Sequence, residues 1–97
     1  MPYEIILSPE AVEDFRDLKA NVRAKVRDGL KTHLRHEPTK TSRSRIKRLR
    51  GRSQPQYRLR IEDLRGFYDV TGSKVEVLGI VEKSEVDKWL AKLENAG

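Results

Sequence analysis

Apolar residues alternate over Tyr3, Ile5 and Leu7, the period of a half-buried strand. Ser8-Pro9-Glu10 then has the chemistry of a helix start: a hydroxyl N-cap, a proline at the first helical position and an acid facing the helix dipole. Ala11, Phe15 and Leu18, with Val12 beside them, form that helix's apolar stripe. Asn21 is placed to cap a second helix, whose seam of Val22, Val26, Leu30 and Leu34 recurs every fourth residue. Gly29 lies beside this seam, and Pro38 closes the segment. About three residues join the two helices, which suits a helical hairpin.

A polar loop over 38–45 leads to a short further candidate strand, Ile46–Arg50, with Leu49 inward, and to a turn region at Gly51–Pro55. Three longer strands follow at roughly 56–61, 64–70 and 74–81, the last two joined by Thr71-Gly72-Ser73. Ser84-Glu85-Val86-Asp87 fits a capping box with Asp at its third helical position, opening a helix striped by Val86, Trp89, Leu90 and Leu93. The main elements read β-α-α-β-β-β-α. This is an α+β domain, with helices expected on one face of a mainly antiparallel sheet.

The chain has 97 residues, enough for a single domain spanning 1–97. Hydrophobic residues make up 36% and charged residues 37%, so the core is thin and the surface densely charged. Net charge is +6, which favours polyanions and acidic protein partners. The charge is uneven: Arg43, Arg45, Lys47, Arg48, Arg50, Arg52, Arg58 and Arg60 follow one another without an acid between them. Acidic residues gather at 10–17 and 82–94. Without cysteine the chain can form neither a disulfide nor a thiolate zinc site. No apolar run suggests a signal peptide or a membrane span, and the expectation is a cytoplasmic protein.

Strand parity gives the arginines a direction. With Glu62-Asp63 as an even turn, Arg60 lies opposite Arg65 and Arg58 opposite Phe67. Carried through Gly72-Ser73, the same parity pairs Val70 with Val75, Tyr68 with Val77 and Gly66 with Gly79. Tyr57, Leu59, Ile61, Leu64, Gly66 and Tyr68 then share a core face with Gly79 and Val81. Arg58, Arg60, Arg65 and Phe67 share the other face with Leu78 and Ile80. Like charges directly opposed weaken a sheet, and a guanidinium cannot shed its proton. A phosphate between them answers both facts, with Phe67 as a stacking platform for a base. The alternative is that Glu62, Asp63, Asp69 and Glu76 neutralise the arginines as ordinary surface ion pairs.

Three segments carry a resemblance: "IKRLRG" at 46–51, "YRLRIEDLRGFYDV" at 57–70 and "VEVLGIVEKSE" at 75–85. In their order and spacing they resemble the RelE/ParE superfamily of toxins from bacterial toxin–antitoxin modules, over nearly the whole chain. The resemblance implies a RelE-like microbial RNase-type fold. It implies a toxin held inactive in a hetero-oligomer by an antitoxin. It further implies cleavage of messenger RNA on the ribosome without metal or other cofactor, the 2′-hydroxyl attacking its neighbouring phosphate in line. Carried over by position, its phosphate-handling basic residues fall on Arg58, Arg60 and Arg65, and a further basic one on Lys83, the base candidate. The chain departs from the pattern in lacking a tyrosine after Tyr68; Trp89 falls on the apolar stripe instead.

Arg43, Arg45, Lys47, Arg48 and Arg50 suit phosphate contacts that carry no sequence information. His33 and His36 are three apart near the end of the second helix, where helix-end electrostatics or solvation explains them and no third metal ligand stands with them. Two other functions remain open: a ParE-like toxin that inhibits DNA gyrase by binding, and a non-toxic nucleic-acid-binding relic.

Overall fold

A computed structural model of the chain describes residues 2–96. Its elements run β1 (Glu4–Leu7), α1 (Pro9–Arg16), α2 (Ala20–Leu34), β2 (Ile46–Arg48), β3 (Tyr57–Ile61), β4 (Leu64–Thr71), β5 (Lys74–Glu82), a 3₁₀ turn (Lys83–Glu85) and α3 (Val86–Ala96). The strands form one sheet in the order β1-β5-β4-β3-β2, with β1 parallel to β5 and every other pair antiparallel. The fold is α+β, as the sequence pattern predicts. The short strand at 46–50 forms as β2, but Ile46 is its buried residue. Leu49 lies beyond the strand and donates its N–H to Gln56 O at 2.8 Å.

Ser8 caps α1 as expected, its Oγ accepting from Ala11 N at 3.2 Å. Asn21 does not cap α2, which begins at Ala20 with Lys19 in the cap position and no side-chain cap bond. The α2 seam is fully used: Val26, Leu30 and Leu34 are buried against Leu59, Ile61, Leu64 and Tyr68. Gly29 keeps this contact close: a Cβ there would lie 3.2 Å from the Ile61 side chain, which would have to give by a few tenths of an ångström. The Ser84 capping box does not form either; the chain turns through Lys83–Glu85 before α3.

The first hairpin has the expected register, pairing Tyr57 with Tyr68, Arg58 with Phe67, Leu59 with Gly66 and Arg60 with Arg65. The second departs from simple parity. Val70 pairs with Val75 and Tyr68 with Val77, but Phe67 then pairs with Gly79 and Gly66 with Ile80, leaving Leu78 as an extra residue. Such a bulge exchanges the two faces of the strand beyond it. Ile80 therefore enters the core, while Gly79 and Val81 face the other side with Phe67 and Arg65. The N-cap of α1 and one side chain within it satisfy the bulge: Ser8 Oγ donates to Leu78 O at 3.1 Å, and Asp14 Oδ2 accepts from Ile80 N at 3.0 Å.

This exchange sets the layers. α1 and α2 cover one face of the sheet, but α3 covers the other, contrary to the expectation of helices on one face. Trp89 of α3 lies flat on Phe67, with ring centroids 4.8 Å apart and planes 13° apart. Its ring occupies the space a Cβ at Gly79 would need, 2.5 Å away.

The tight turn between β3 and β4 carries a local cost. Ile61 pairs with Leu64, so Glu62 and Asp63 alone make the turn, and Glu62 adopts a left-handed φ of 52°. A side chain in that region costs about 1–2 kcal/mol, which glycine avoids. The Glu62 carboxylate gains only an exposed ion pair with Lys25 at 3.3 Å, worth little in water. Glu62→Gly should therefore raise the unfolding free energy by roughly 0.5–1 kcal/mol, read as a higher denaturation midpoint at unchanged m-value.

Candidate nucleic-acid interface

The second face of the sheet divides into two halves. One row across the strands reads Lys47, Arg58, Phe67, Gly79, and the next reads Arg60, Arg65, Val81. Trp89 roofs the apolar part of the first row. The β2–β3 side is cationic and carries two directly opposed like-charge pairs, Lys47 with Arg58 and Arg60 with Arg65. Each such pair destabilises the sheet unless an anion compensates it.

The arginines differ in how they are held. Arg65 is buried, only 8% exposed, and its Nη1 donates to Glu62 O and Leu64 O at 2.9 Å each. It therefore braces the strained β3–β4 turn as well as charging the face. Arg58 is half-buried, and its Nη2 donates to Ser44 O at 2.9 Å. Its Nε is shielded from solvent and meets no acceptor among the described residues. Burial, then the charges of Arg65 and Arg60, lower the Arg58 pKa from its usual value; a guanidinium nonetheless stays charged at neutral pH. Arg60 is exposed, its backbone N–H fixed to Arg45 O at 2.8 Å.

Surface neutralisation does not account for these charges. Among the described residues, the ion pairs join Lys25 to Glu62, Lys40 to Glu37, Arg52 to Glu94 and Lys88 to Glu85; none reaches Arg58, Arg60 or Arg65. Asp69 has a different use. It accepts from Gln56 N at 2.7 Å and Gln54 Nε2 at 2.8 Å, tying the 49–56 loop to β4.

Phe67 requires a correction. It is completely buried beneath Trp89 and so offers no face to a base in this conformation. Trp89 itself is a packing residue, as its place on the α3 stripe predicts. Lys83 leaves β5 at the same turn that Arg65 braces: its N–H donates to Asp63 O at 2.8 Å, next to the Glu62 carbonyl that Arg65 holds. Its side chain is exposed.

The basic segment lies along the sheet margin next to β3. Arg43, Arg45, Lys47, Arg48 and Arg50 are all exposed. Arg48 is ordered against the sheet, its guanidinium 5.1 Å from the Tyr57 ring centroid and its Nη1 donating to Gln56 O at 3.0 Å. His33 reaches this margin from α2; its pKa is lowered first by burial and then by Arg45.

One structural role is invisible in the sequence. Arg52 Nη2 pairs with Glu94 Oε1 at 2.8 Å, joining the 49–56 loop to α3. These residues are 42 apart, and no spacing rule connects them.

A family model described as the ParE toxin of the type II toxin–antitoxin system parDE matches residues 5–86. Solved structures share the fold at low identity. The toxin–antitoxin complex RelBE2 from Mycobacterium tuberculosis aligns with a TM-score of 0.70 at 21% identity, covering 84% of this chain and 99% of that one. The archaeal RelE–RelB complex from Pyrococcus horikoshii aligns at 0.64 and 21%, covering 86% and 97%. The RelB–RelE complex from Methanococcus jannaschii aligns at 0.64 and 13%, covering 87% and 96%. No curated protein matches the chain significantly. The chain belongs to the ParE toxin family within the RelE/ParE superfamily, and it is the toxin of a type II toxin–antitoxin module.

The two kinds of arginine separate in stability measurements. Arg65→Ala leaves the Glu62 and Leu64 carbonyls without their donor and should cost about 1–3 kcal/mol. Arg60→Ala, at an exposed position facing a like charge, should stay within about 0.5 kcal/mol of the parent. Urea denaturation of the two variants checks both values.

Proposed function

We propose that this ParE-family toxin binds RNA across the β2–β3 margin and cleaves messenger RNA on the ribosome, and that an antitoxin partner restrains it. The observation that carries this reading is the convergence of Arg58, Arg60 and Arg65 on one face with no carboxylate among the described residues in ion-pair contact. Guanidinium groups so placed match the oxygens of a phosphodiester and favour the charge that grows on them in a displacement.

In the proposed reaction the RNA 2′-hydroxyl attacks the adjacent phosphorus in line. Its proton passes to Lys83 acting as the neutral amine, the P–O5′ bond breaks, and the departing oxygen takes a proton from solvent. Arg60 and Arg58 hold the phosphate oxygens, with Arg65 fixing the β3–β4 turn to which the Lys83 N–H is bonded. Arg43, Arg45, Lys47, Arg48 and Arg50 extend the phosphate track along the margin.

A second reading, inhibition of DNA gyrase by binding alone, draws on the family match and on the burial of Phe67 and Arg65, which leaves Arg60 the most accessible of the three. Primer extension on messenger RNA in a translating extract distinguishes the two. The ribonuclease reading expects discrete cuts that fall about 10²-fold in rate in Arg60→Ala and in Lys83→Ala. An absence of cuts, together with blocked DNA supercoiling, overturns it in favour of gyrase inhibition.

A further inference from the structure

The basic edge strand β2 points its side chains two ways. Lys47 opposes Arg58 on the arginine face, and Arg48 opposes Tyr57 on the other. Arg48 is the outer end of a stack that runs inward across the sheet. Its guanidinium carbon is 5.1 Å from the Tyr57 ring centroid, and Tyr57 lies on Tyr68 with centroids 5.4 Å and planes 16° apart. Tyr68 is completely buried, and its hydroxyl donates to Pro38 O at 2.6 Å. Packing and a hydrogen bond together fix the inner end of the stack.

The outer end is held as well. Arg48 Nη1 donates to Gln56 O at 3.0 Å. Gln56 is tied to β4 in turn: its N–H donates to Asp69 Oδ1 at 2.7 Å, and its Oε1 accepts from Val70 N at 2.9 Å. A guanidinium already laid over a ring and bonded at one nitrogen loses little more freedom when a second flat group settles on it. The Arg48 side chain is exposed, and no carboxylate among the described residues pairs with it.

The β2 edge disfavours a protein strand as the occupant. Ser42 Oγ accepts from Arg45 N at 3.0 Å and Ile46 N at 3.2 Å, and Ser42 N–H donates to Ile46 O at 2.9 Å. A segment of the chain itself thus takes the outer ladder positions and leaves an added strand little to pair with. The exposed cations Arg43, Arg45 and Arg50 flank Arg48 in sequence, a setting that attracts a polyanion. On the arginine face, by contrast, Phe67 lies beneath Trp89 and gives a base no platform.

We propose that the guanidinium plane of Arg48 stacks an unpaired base of a single-stranded RNA that crosses the β2 edge from the phosphate seats at Lys47 and Arg58. This role rests on the RNA-binding reading above and gives it the base contact that Phe67 does not supply. Every base presents a π-face, and a guanidinium plane stacks on it while keeping its charge for a neighbouring phosphate. Lysine at this position would keep the charge and lose the plane. The stack therefore separates from phosphate binding in a single substitution.

The test titrates the full chain with labelled single-stranded 2′-O-methyl RNA, which lacks the attacking hydroxyl. A mixed-sequence strand is compared with an abasic strand of the same length and charge, and Trp89 emission checks that each variant is folded. The parent should bind the base-bearing strand at least about fivefold more tightly than the abasic one. Arg48→Lys should lose most of that ratio while binding the abasic strand as the parent does. Arg43→Ala should weaken both strands alike and keep the ratio. A parent without preference for bases, or an Arg48→Lys variant that retains the full preference, overturns the stacking role. So does an Arg48-dependent footprint on a ribosomal RNA base without any base preference on oligonucleotides. Binding to neither strand overturns the RNA reading together with it, whereas base-blind binding overturns the stack alone. Cleavage is scored separately by the primer-extension assay.

Discussion

The organisation of this domain depends on one extra residue in β5. Leu78 has no partner in β4, and the displacement turns the strand over between Val77 and Gly79. Without it Gly79 would face the helical hairpin, and Ile80 would face the arginines. With it Ile80 completes the core, and Gly79 presents bare backbone to the indole of Trp89. Main-chain groups around a bulge lose their regular ladder partners and must find others. Ser8 at the N-cap of α1 and Asp14 within the helix provide them. The helix on one face thus stabilises the strand geometry that lets α3 dock on the other.

That docking also defines what remains of the second face for function. Trp89 and Phe67 close its apolar half, and the Arg52–Glu94 pair joins α3 to the loop before β3. The uncovered remainder is the cationic β2–β3 side, where like charges oppose one another with no ion-pair partner among the described residues. Here stability and function pull in different directions. Arg65 serves both, since its guanidinium braces the Glu62 turn while adding charge to the face. Arg60 contributes little to the fold beyond its backbone and is free to meet a ligand.

Much of this was legible in the sequence. The two-residue turn at Glu62-Asp63 fixes an even register, so Arg60 opposite Arg65 follows from parity alone. The period-four seam of α2 and the Ser8 cap follow equally from local chemistry. Parity failed at Leu78 because the bulge is satisfied by side chains 66–70 residues away in the chain. The assignment of Phe67 as a base platform failed with it, since the same displacement brings α3 over that ring. The cap motifs at Asn21 and Ser84 failed for a nearer reason: each helix began at a different residue, and the side chain that looked like a cap fell inside the first turn or the preceding 3₁₀ turn.

The contact of Trp89 with Gly79 tests the central claim most directly, because the chain has a single tryptophan and its emission reports α3 docking. Gly79→Ala places a methyl group where the indole lies, while Gly66→Ala, with no atom within 4 Å of the added Cβ, controls for replacing a buried strand glycine. The account predicts red-shifted, more quenchable emission and a loss of about 1–3 kcal/mol in Gly79→Ala, with emission unchanged in Gly66→Ala. Parent-like emission and stability in Gly79→Ala would contradict the displaced register and the placement of α3 that depends on it.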